Sequence, residues 1–318
     1  MGDFATILAN AFGITGTRPT KQRGYYLCNQ GQTTLKIHKT NHSYKTLALE
    51  DQLLKQLTQH FPYTDWAATD KSPSVTLGRE SYGIKKHIPG TEADFSQVAD
   101  ITAAMATLAH FHTKARGVTF TAPIKTGEDL LVRFEKHSQY LKKMAQEVGR
   151  KTKRSDFDML FLKYVGGYIE DSHQSLQQLT ATNYPQLYHQ ALAENHICHN
   201  NLKEENLPMY QGKCHMTNFV HFTADCQEVD VASLIYRYGR HGGGELTIQQ
   251  LVDIYRHIHP HINPAMIKAY LLHPWKFIKV AKEYYSKKRA FIPGTIMAQM
   301  ESIIHAKEGF EKYLQNFL

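Results

Sequence analysis

The feature that most constrains this chain is a change of hydrophobic period near Ile88-Pro-Gly90. Before it, short runs of β-branched and aromatic residues alternate with turn residues. After it, apolar residues recur at helical spacing almost to the C-terminus. Gly24-Tyr-Tyr-Leu-Cys28 and Thr33-Thr-Leu-Lys-Ile37 flank Asn29-Gln-Gly-Gln32, which predicts a hairpin. Val75–Leu77 and Tyr82–Lys86 predict a second strand pair, and helices are expected at Phe4–Phe12, closed by Gly13, and at Tyr44–His60. Beyond the break, helices are expected over Phe95–Thr113, with Asp94 or Ser96 as N-cap, and over Asp129–Gln146, Asp156–Leu179 and Tyr184–Ala193. They resume from Leu246, interrupted at Pro260, Pro264, Pro274 and Pro293. Between them, Ile197–Phe222 is short-pieced and rich in Asn and His. The pattern predicts an α+β fold of two lobes: a small β-rich lobe over residues 1–88, and a larger, mainly helical lobe over 89–318, hinged at the Pro-Gly break.

Composition narrows the function. With 42% hydrophobic and 21% charged residues the chain is ordinary globular material, not a disordered one. The net charge of +8 is scattered, and its densest run, Arg150-Lys-Thr-Lys-Arg154, reads as a solvated loop, so no nucleic-acid partner is expected. Cys28, Cys198, Cys214 and Cys226 form no C-x-x-C pair and suit neither a zinc site nor a disulfide scaffold. Met1–Ile14 lacks the pattern of a secretory signal, and no stretch reaches the ~18 apolar residues of a membrane span. Synthesis in the cytoplasm and no membrane partner are therefore expected.

The chemistry is carried by His199-Asn-Asn-Leu-Lys-Glu-Glu-Asn206. A kinase-fold phosphotransferase needs a carboxylate on one short loop to orient the acceptor hydroxyl, and five residues later an Asn to hold magnesium. His199, Asn206 and the spacing match that pattern, but the carboxylate position is Asn201. Twelve residues on, Asn218-Phe219 stands where the metal-binding Asp-Phe pair is expected, again with Asn for Asp. Asp230, in Val229-Asp-Val-Ala-Ser-Leu234, resembles the helix-start Asp that braces the catalytic loop, and a plain N-cap role is compatible with that. In the first lobe, Lys36 is the candidate phosphate-pairing lysine and Glu50 its helical partner. The loop Arg18–Gly24 has one glycine and cannot bring many backbone N–H groups to a phosphate.

These pieces together resemble the CotS-type spore-coat proteins of endospore-forming bacteria, which have the aminoglycoside-phosphotransferase-like kinase fold. The resemblance rests on Ile197–Asn206, on Asp230–Leu234, and on His273-Pro-Trp-Lys-Phe-Ile-Lys-Val-Ala-Lys-Glu-Tyr-Tyr-Ser-Lys-Lys-Arg289. It implies sporulation, deposition in the spore coat, and other coat proteins as partners. Asn201 accepts no proton at neutral pH, and loss of a general base removes roughly 10²–10⁴ in rate. Asn218 and Asn206 offer magnesium neutral oxygens where it prefers a carboxylate. The expectation is a pseudokinase with no cofactor. The alternative is an ATP- and Mg²⁺-dependent small-molecule phosphotransferase in which Glu204, Glu205 or Asp225 replaces the missing carboxylate. Trp275, Phe277, Tyr284, Tyr285 and Phe291 are expected in the core, and His257, His259 and His261 in a loop without metal.

Overall fold

The computed structural model describes residues 4–67, 72–240, 245–286, 293–315 and 317. The β-rich start and helical remainder appear as expected: a sheet region comes first and helices dominate after it. Two compact units result, Met1–Thr126 with Glu194–Ala224, and Gly127–Ala193 with Asp225–Leu318. The Pro-Gly break falls inside the first unit, and the Asn- and His-rich segment joins that unit too.

In the first unit, helix α1 (Phe4–Ala11) precedes strands β1 (Thr20–Gln22), β2 (Tyr25–Gln30) and β3 (Thr33–Thr40). Helix α2 (Tyr44–Leu57) follows, then β4 (Ser74–Leu77) and β5 (Glu80–Lys86). These strands form one antiparallel sheet in the order β1-β2-β3-β5-β4. Strand β1 lies in the stretch the sequence left as a loop. Period-two alternation sends Leu35 and Ile37 to one sheet face, where Cys28, Tyr82 and Ile84 meet Leu8 and Phe12 of the α1 region. The opposite face therefore carries Lys36 and His38, and across the register Lys36 stands opposite Lys85.

Strand β6 (Thr91–Glu92) leads to helix α3 (Val98–Lys114). The α3 N-cap is Gln97, not Asp94 or Ser96. Asp94 instead accepts from the Ser96 N–H at 2.9 Å, closing a turn just outside the helix. The later segment returns with β7 (Ile197–Cys198), β8 (Pro208–Tyr210), β9 (Lys213–Cys214) and β10 (Thr223–Ala224), plus 3-10 turns at Glu204–Asn206 and Phe219–His221. Strand β8 pairs with β6, and a Cβ on Gly90 would lie 2.4 Å from the Met209 carbonyl oxygen, so the break residue must be glycine. Phe219 of this segment packs on Phe111, and Phe111 on Phe61, as tilted ring pairs with centroids 5.4 and 6.1 Å apart.

The second unit is helical: α4 (Leu130–Gly149), α5 (Asp156–Thr180), α6 (Tyr184–Ala193), α7 (Glu228–Arg240), α8 (Ile248–Ile258), α9 (Pro264–Leu272), α10 (Trp275–Ser286) and α11 (Pro293–Gln315). Local chemistry sets several starts. Asp129 caps α4, Ser155 with Asp158 and Thr247 with Gln250 form capping boxes, and Asn263 caps α9 before a Pro in its first turn. Phe277 is buried in this core, Tyr284 stacks on Phe157 at 3.9 Å, and Tyr285 donates to Asp158 at 3.1 Å. Trp275 is partly buried and packs on the core beside Phe134, while Phe291 and Lys287-Lys-Arg289 lie outside the described residues. His257, expected in a loop, instead lies in the last turn of α8, and His259 is that helix's buried C-cap. No helix among the described residues is long and apolar enough to cross a membrane.

Candidate functional site

The residues of the kinase-like pattern gather in the first unit, with one exception. Asp230 lies in the first turn of α7, in the second unit, 1% exposed. The turns of the β7–β10 segment are held by their own polar groups. His199 Nε2 lies 2.9 Å from the Thr217 carbonyl, which only accepts, so that nitrogen carries the proton. Nδ1 is then the acceptor for the Asn201 backbone N–H at 3.3 Å, and Phe219 meets the imidazole edge to face at 4.6 Å. His199 is thereby fixed as a neutral spacer between the two loops.

Asn218 adopts the left-handed conformation, φ 63° and ψ 55°, which Asn and Asp tolerate better than most residues. Its backbone N–H donates to Asp65 at 3.4 Å, and its side-chain amide donates to Asn206 Oδ1 at 3.3 Å. Asn206 in turn donates through Nδ2 to the Asn201 carbonyl at 2.8 Å. The oxygen that a magnesium ion would need from Asn206 is thus engaged by an amide proton from the other metal position. An aspartate at 218 has no such proton. This donor set fits a divalent cation poorly: its two metal positions contribute neutral amides, and the Asn206 oxygen already accepts from Asn218. Glu205, offered as a stand-in carboxylate, is exposed and paired with Lys203 at 3.5 Å. Asp225 lies in the second unit, where burial pushes its carboxyl up to about 7.

On the sheet side the geometry departs from expectation. Glu50 is buried on α2, but its cation is Lys85 of β5, with Nζ to Oε1 at 2.7 Å; Asp65 lies 3.5 Å from the same ammonium. Burial pulls the Lys85 ammonium down, but Asp65 and Glu50 outweigh it and hold it above the ordinary lysine value. Lys36, the lysine assigned to Glu50 from sequence, lies over the Tyr25 ring at 4.6 Å and has no acidic partner among the described residues. The reason is register. Lys36 and Lys85 are cross-strand neighbours on one face, and it is the Lys85 ammonium that reaches the buried Glu50. Burial and the two lysines push His38, next on that face, down to about 4, so it is neutral. Sequence reasoning missed Lys85, Asp65 and His38. The available signal was the alternation in Tyr82-Gly-Ile-Lys-Lys86, which puts Lys85 on the face opposite Ile84. Between α2 and the sheet, His38, Glu50, Asp65 and Lys85 line a cavity of about 20 Å³, the size of one water molecule.

Comparison with known proteins places this geometry in a wider group. An aminoglycoside phosphotransferase from Alicyclobacillus acidocaldarius superposes with a TM-score of 0.84 at 16% identity, over 100% of this chain and 96% of that one. An AMP-bound spectinomycin phosphotransferase, APH(9)-Ia, gives 0.69 at 10% identity, over 99% and 98%. An amicoumacin kinase gives 0.55 at 11% identity, over 93% and 88%. At these identities the likeness establishes the aminoglycoside-phosphotransferase-like, protein-kinase-like fold. No curated protein sequence matches the chain at a significant level. The family model described as "Spore coat putative kinase YutH" matches residues 5–317, nearly the whole chain. With the sequence resemblance and the fold in agreement, the chain belongs to this spore-coat kinase-like family.

Proposed function

We propose that this protein is a pseudokinase: it keeps the kinase fold, has lost phosphoryl transfer, and serves the spore coat as a structural component in contact with other coat proteins. The observation that carries the reading is the Asn218-to-Asn206 hydrogen bond at 3.3 Å, which joins the two metal positions to each other. With Asn201 at the base position, two separate requirements of the chemistry are missing. Loss of the base alone corresponds to roughly 3–5 kcal/mol of barrier. Binding is the remaining job of a fold kept without its chemistry. The spore-coat family model supports the setting.

One observation favours a second reading, an ATP-dependent small-molecule phosphotransferase. The buried Lys85–Glu50 pair satisfies the lysine–glutamate requirement of kinase activation, with the lysine supplied from β5. A thermal-shift titration with ATP, with and without magnesium, separates the two. The pseudokinase shows no magnesium-dependent stabilisation and no ATP turnover. Magnesium-dependent phosphotransfer abolished by Lys85→Ala or Lys36→Ala overturns the proposal. In the coat, Asn201→Asp with Asn218→Asp leaves deposition of a tagged copy unchanged; a tagged protein absent from purified spores refutes the coat role.

A further inference from the structure

Helix α2 is gripped on its exposed side by a short extended segment that follows α3. Gln56 Oε1 accepts from the Thr119 N–H at 3.1 Å, and its Nε2 donates to the Thr119 carbonyl at 2.8 Å. One helical turn earlier, Gln52 Oε1 accepts from the Thr121 N–H at 3.0 Å, and its Nε2 donates to the Thr121 hydroxyl at 2.9 Å. A glutamine amide carries an acceptor and a donor side by side, so each one pairs with extended backbone much as a neighbouring strand does. The spacings match. Four helical residues rise about 6.0 Å, and two extended residues advance about 6.6–6.8 Å.

Period-two alternation turns Phe120, between the two gripped threonines, the other way. It stacks on Phe222 with centroids 5.5 Å apart and the rings 19° from parallel. Phe222 is the C-cap of the 3-10 turn Phe219–His221, whose N-cap is Asn218. That turn also touches α2 directly. The Phe219 backbone N–H donates to Glu50, and His221 meets His42, just ahead of the α2 N-cap Ser43, edge to face at 5.6 Å. The contacts close a ring: α2, residues 118–121, Phe222, the Asn218 turn, and back to α2 at Glu50. Two features of the kinase-like site hang on that ring. Glu50 holds Lys85, and Asn218 is bonded to Asn206.

We propose that residues 118–121 are a clasp that fixes α2 against the Asn218 turn, so that the Lys85–Glu50 pair and the Asn218–Asn206 bond open together when the clasp is released. Its gripping bonds are exposed, whereas the opposite side of α2 buries Leu47, Leu53, Leu54 and Leu57. Water competes for exposed bonds, so the clasp is the part of the ring that opens without unfolding the core. The clasp acts on the position of α2 and does not depend on whether the site transfers phosphate.

The test uses the full-length protein without nucleotide and reads opening in two ways. One is acetylation of Lys85 by N-hydroxysuccinimide acetate, located by mass spectrometry; the other is amide hydrogen exchange. In the parent, Lys85 is shielded, with its side chain 14% exposed and paired with Glu50. Gln52→Ala with Gln56→Ala raises Lys85 acetylation about 10-fold, the worth of one or two net hydrogen bonds, and speeds exchange in α2 and in Asn218–Phe222 by a similar factor. Phe120→Ala cuts the ring on its other side and does the same, whereas Gln59→Ala, exposed just beyond α2, changes nothing. Melting curves verify folding, exchange in α5 is the reference for global opening, and if the double variant melts early, Gln52→Ala alone reads the same effect at smaller size. Unchanged Lys85 acetylation, faster exchange confined to 118–121, no change in Asn218–Phe222, or a rise matched in α5 overturns the proposal. Coupled opening in a protein that turns over ATP leaves the clasp standing and overturns the pseudokinase reading instead.

Discussion

Replacing Lys85 by Met is the sharpest test of the ionic arrangement under the sheet. The substitution roughly conserves side-chain volume and removes the ammonium that sits 2.7 Å from Glu50 and 3.5 Å from Asp65. Glu50 is 4% exposed and Asp65 5%, so neither carboxylate can recover its lost partner from bulk water. Breaking a buried pair by removing one member costs about 3–5 kcal/mol, because a charge is left behind without compensation. At roughly 2.1 cal/mol/K per residue, the unfolding entropy of the whole chain is about 0.7 kcal/mol/K, so the melting temperature falls by ~4–7 °C. Lys36→Met removes an ammonium that among the described residues lies over the Tyr25 ring and has no acidic partner, and costs less than about 1 kcal/mol. The deficit of Lys85→Met also depends on pH. Without the lysine, burial holds the Glu50 carboxyl above its unfolded value, so the folded variant binds the extra proton and gains stability as pH falls. The gap to the parent therefore narrows from pH 8 to pH 5, and Glu50→Gln added to Lys85→Met recovers part of the loss at pH 8. Differential scanning calorimetry reads all of this. Equal costs for Lys36→Met and Lys85→Met, or a gap that widens on acidification, refute the reasoning.

Other outcomes follow from local geometry. In the second unit, Ser175 Oγ donates to the Ser172 carbonyl at 2.9 Å and so accepts from His273 Nδ1 at 3.0 Å, leaving His273 Nε2 to accept from His137 at 2.9 Å. Burial, then neighbouring cations, push His137 down to about 4 and His273 to about 2, so on acidification the unfolded chain takes up protons first. The stability from this neutral pair is complete above about pH 6.5 and is lost downward toward pH 4, at up to about 1.4 kcal/mol per pH unit for each histidine. Urea midpoints record the slope, and His137→Leu with His273→Leu flattens it; an unchanged slope refutes the assignment. A Cβ on Gly127 would lie 1.8 Å from Asp225 Oδ2, so Gly127→Ala destabilises by about 2 kcal/mol or more, whereas Gly166→Ala, in open space on α5, is neutral or stabilising by up to ~1 kcal/mol. Urea unfolding of the two variants checks the contrast, and equal effects contradict it.

What the sequence determined by itself is what lies close along the chain. Helix α6 appears at Tyr184–Ala193 as the period predicts, and α4 and α5 begin at caps readable as Asp129 and Ser155. Such elements are set by side chains three or four residues apart and by cap chemistry, both local. The H-x-N loop and the Asn218-Phe219 pair are equally legible, since their meaning is spacing. Their mutual hydrogen bond is a different matter, because it needs the Asn206 turn and the left-handed Asn218 to be brought face to face. The same limit explains the lysine. Lys36 and Lys85 are equally plausible partners for Glu50 when read along the chain. The choice depends on where α2 crosses the sheet and on the β3–β5 register, which joins residues 49 apart. The tertiary structure alone also assigned Asp65 to that ammonium. Pairing of buried charges is decided by distance and desolvation together, and both exist only once the chain is folded.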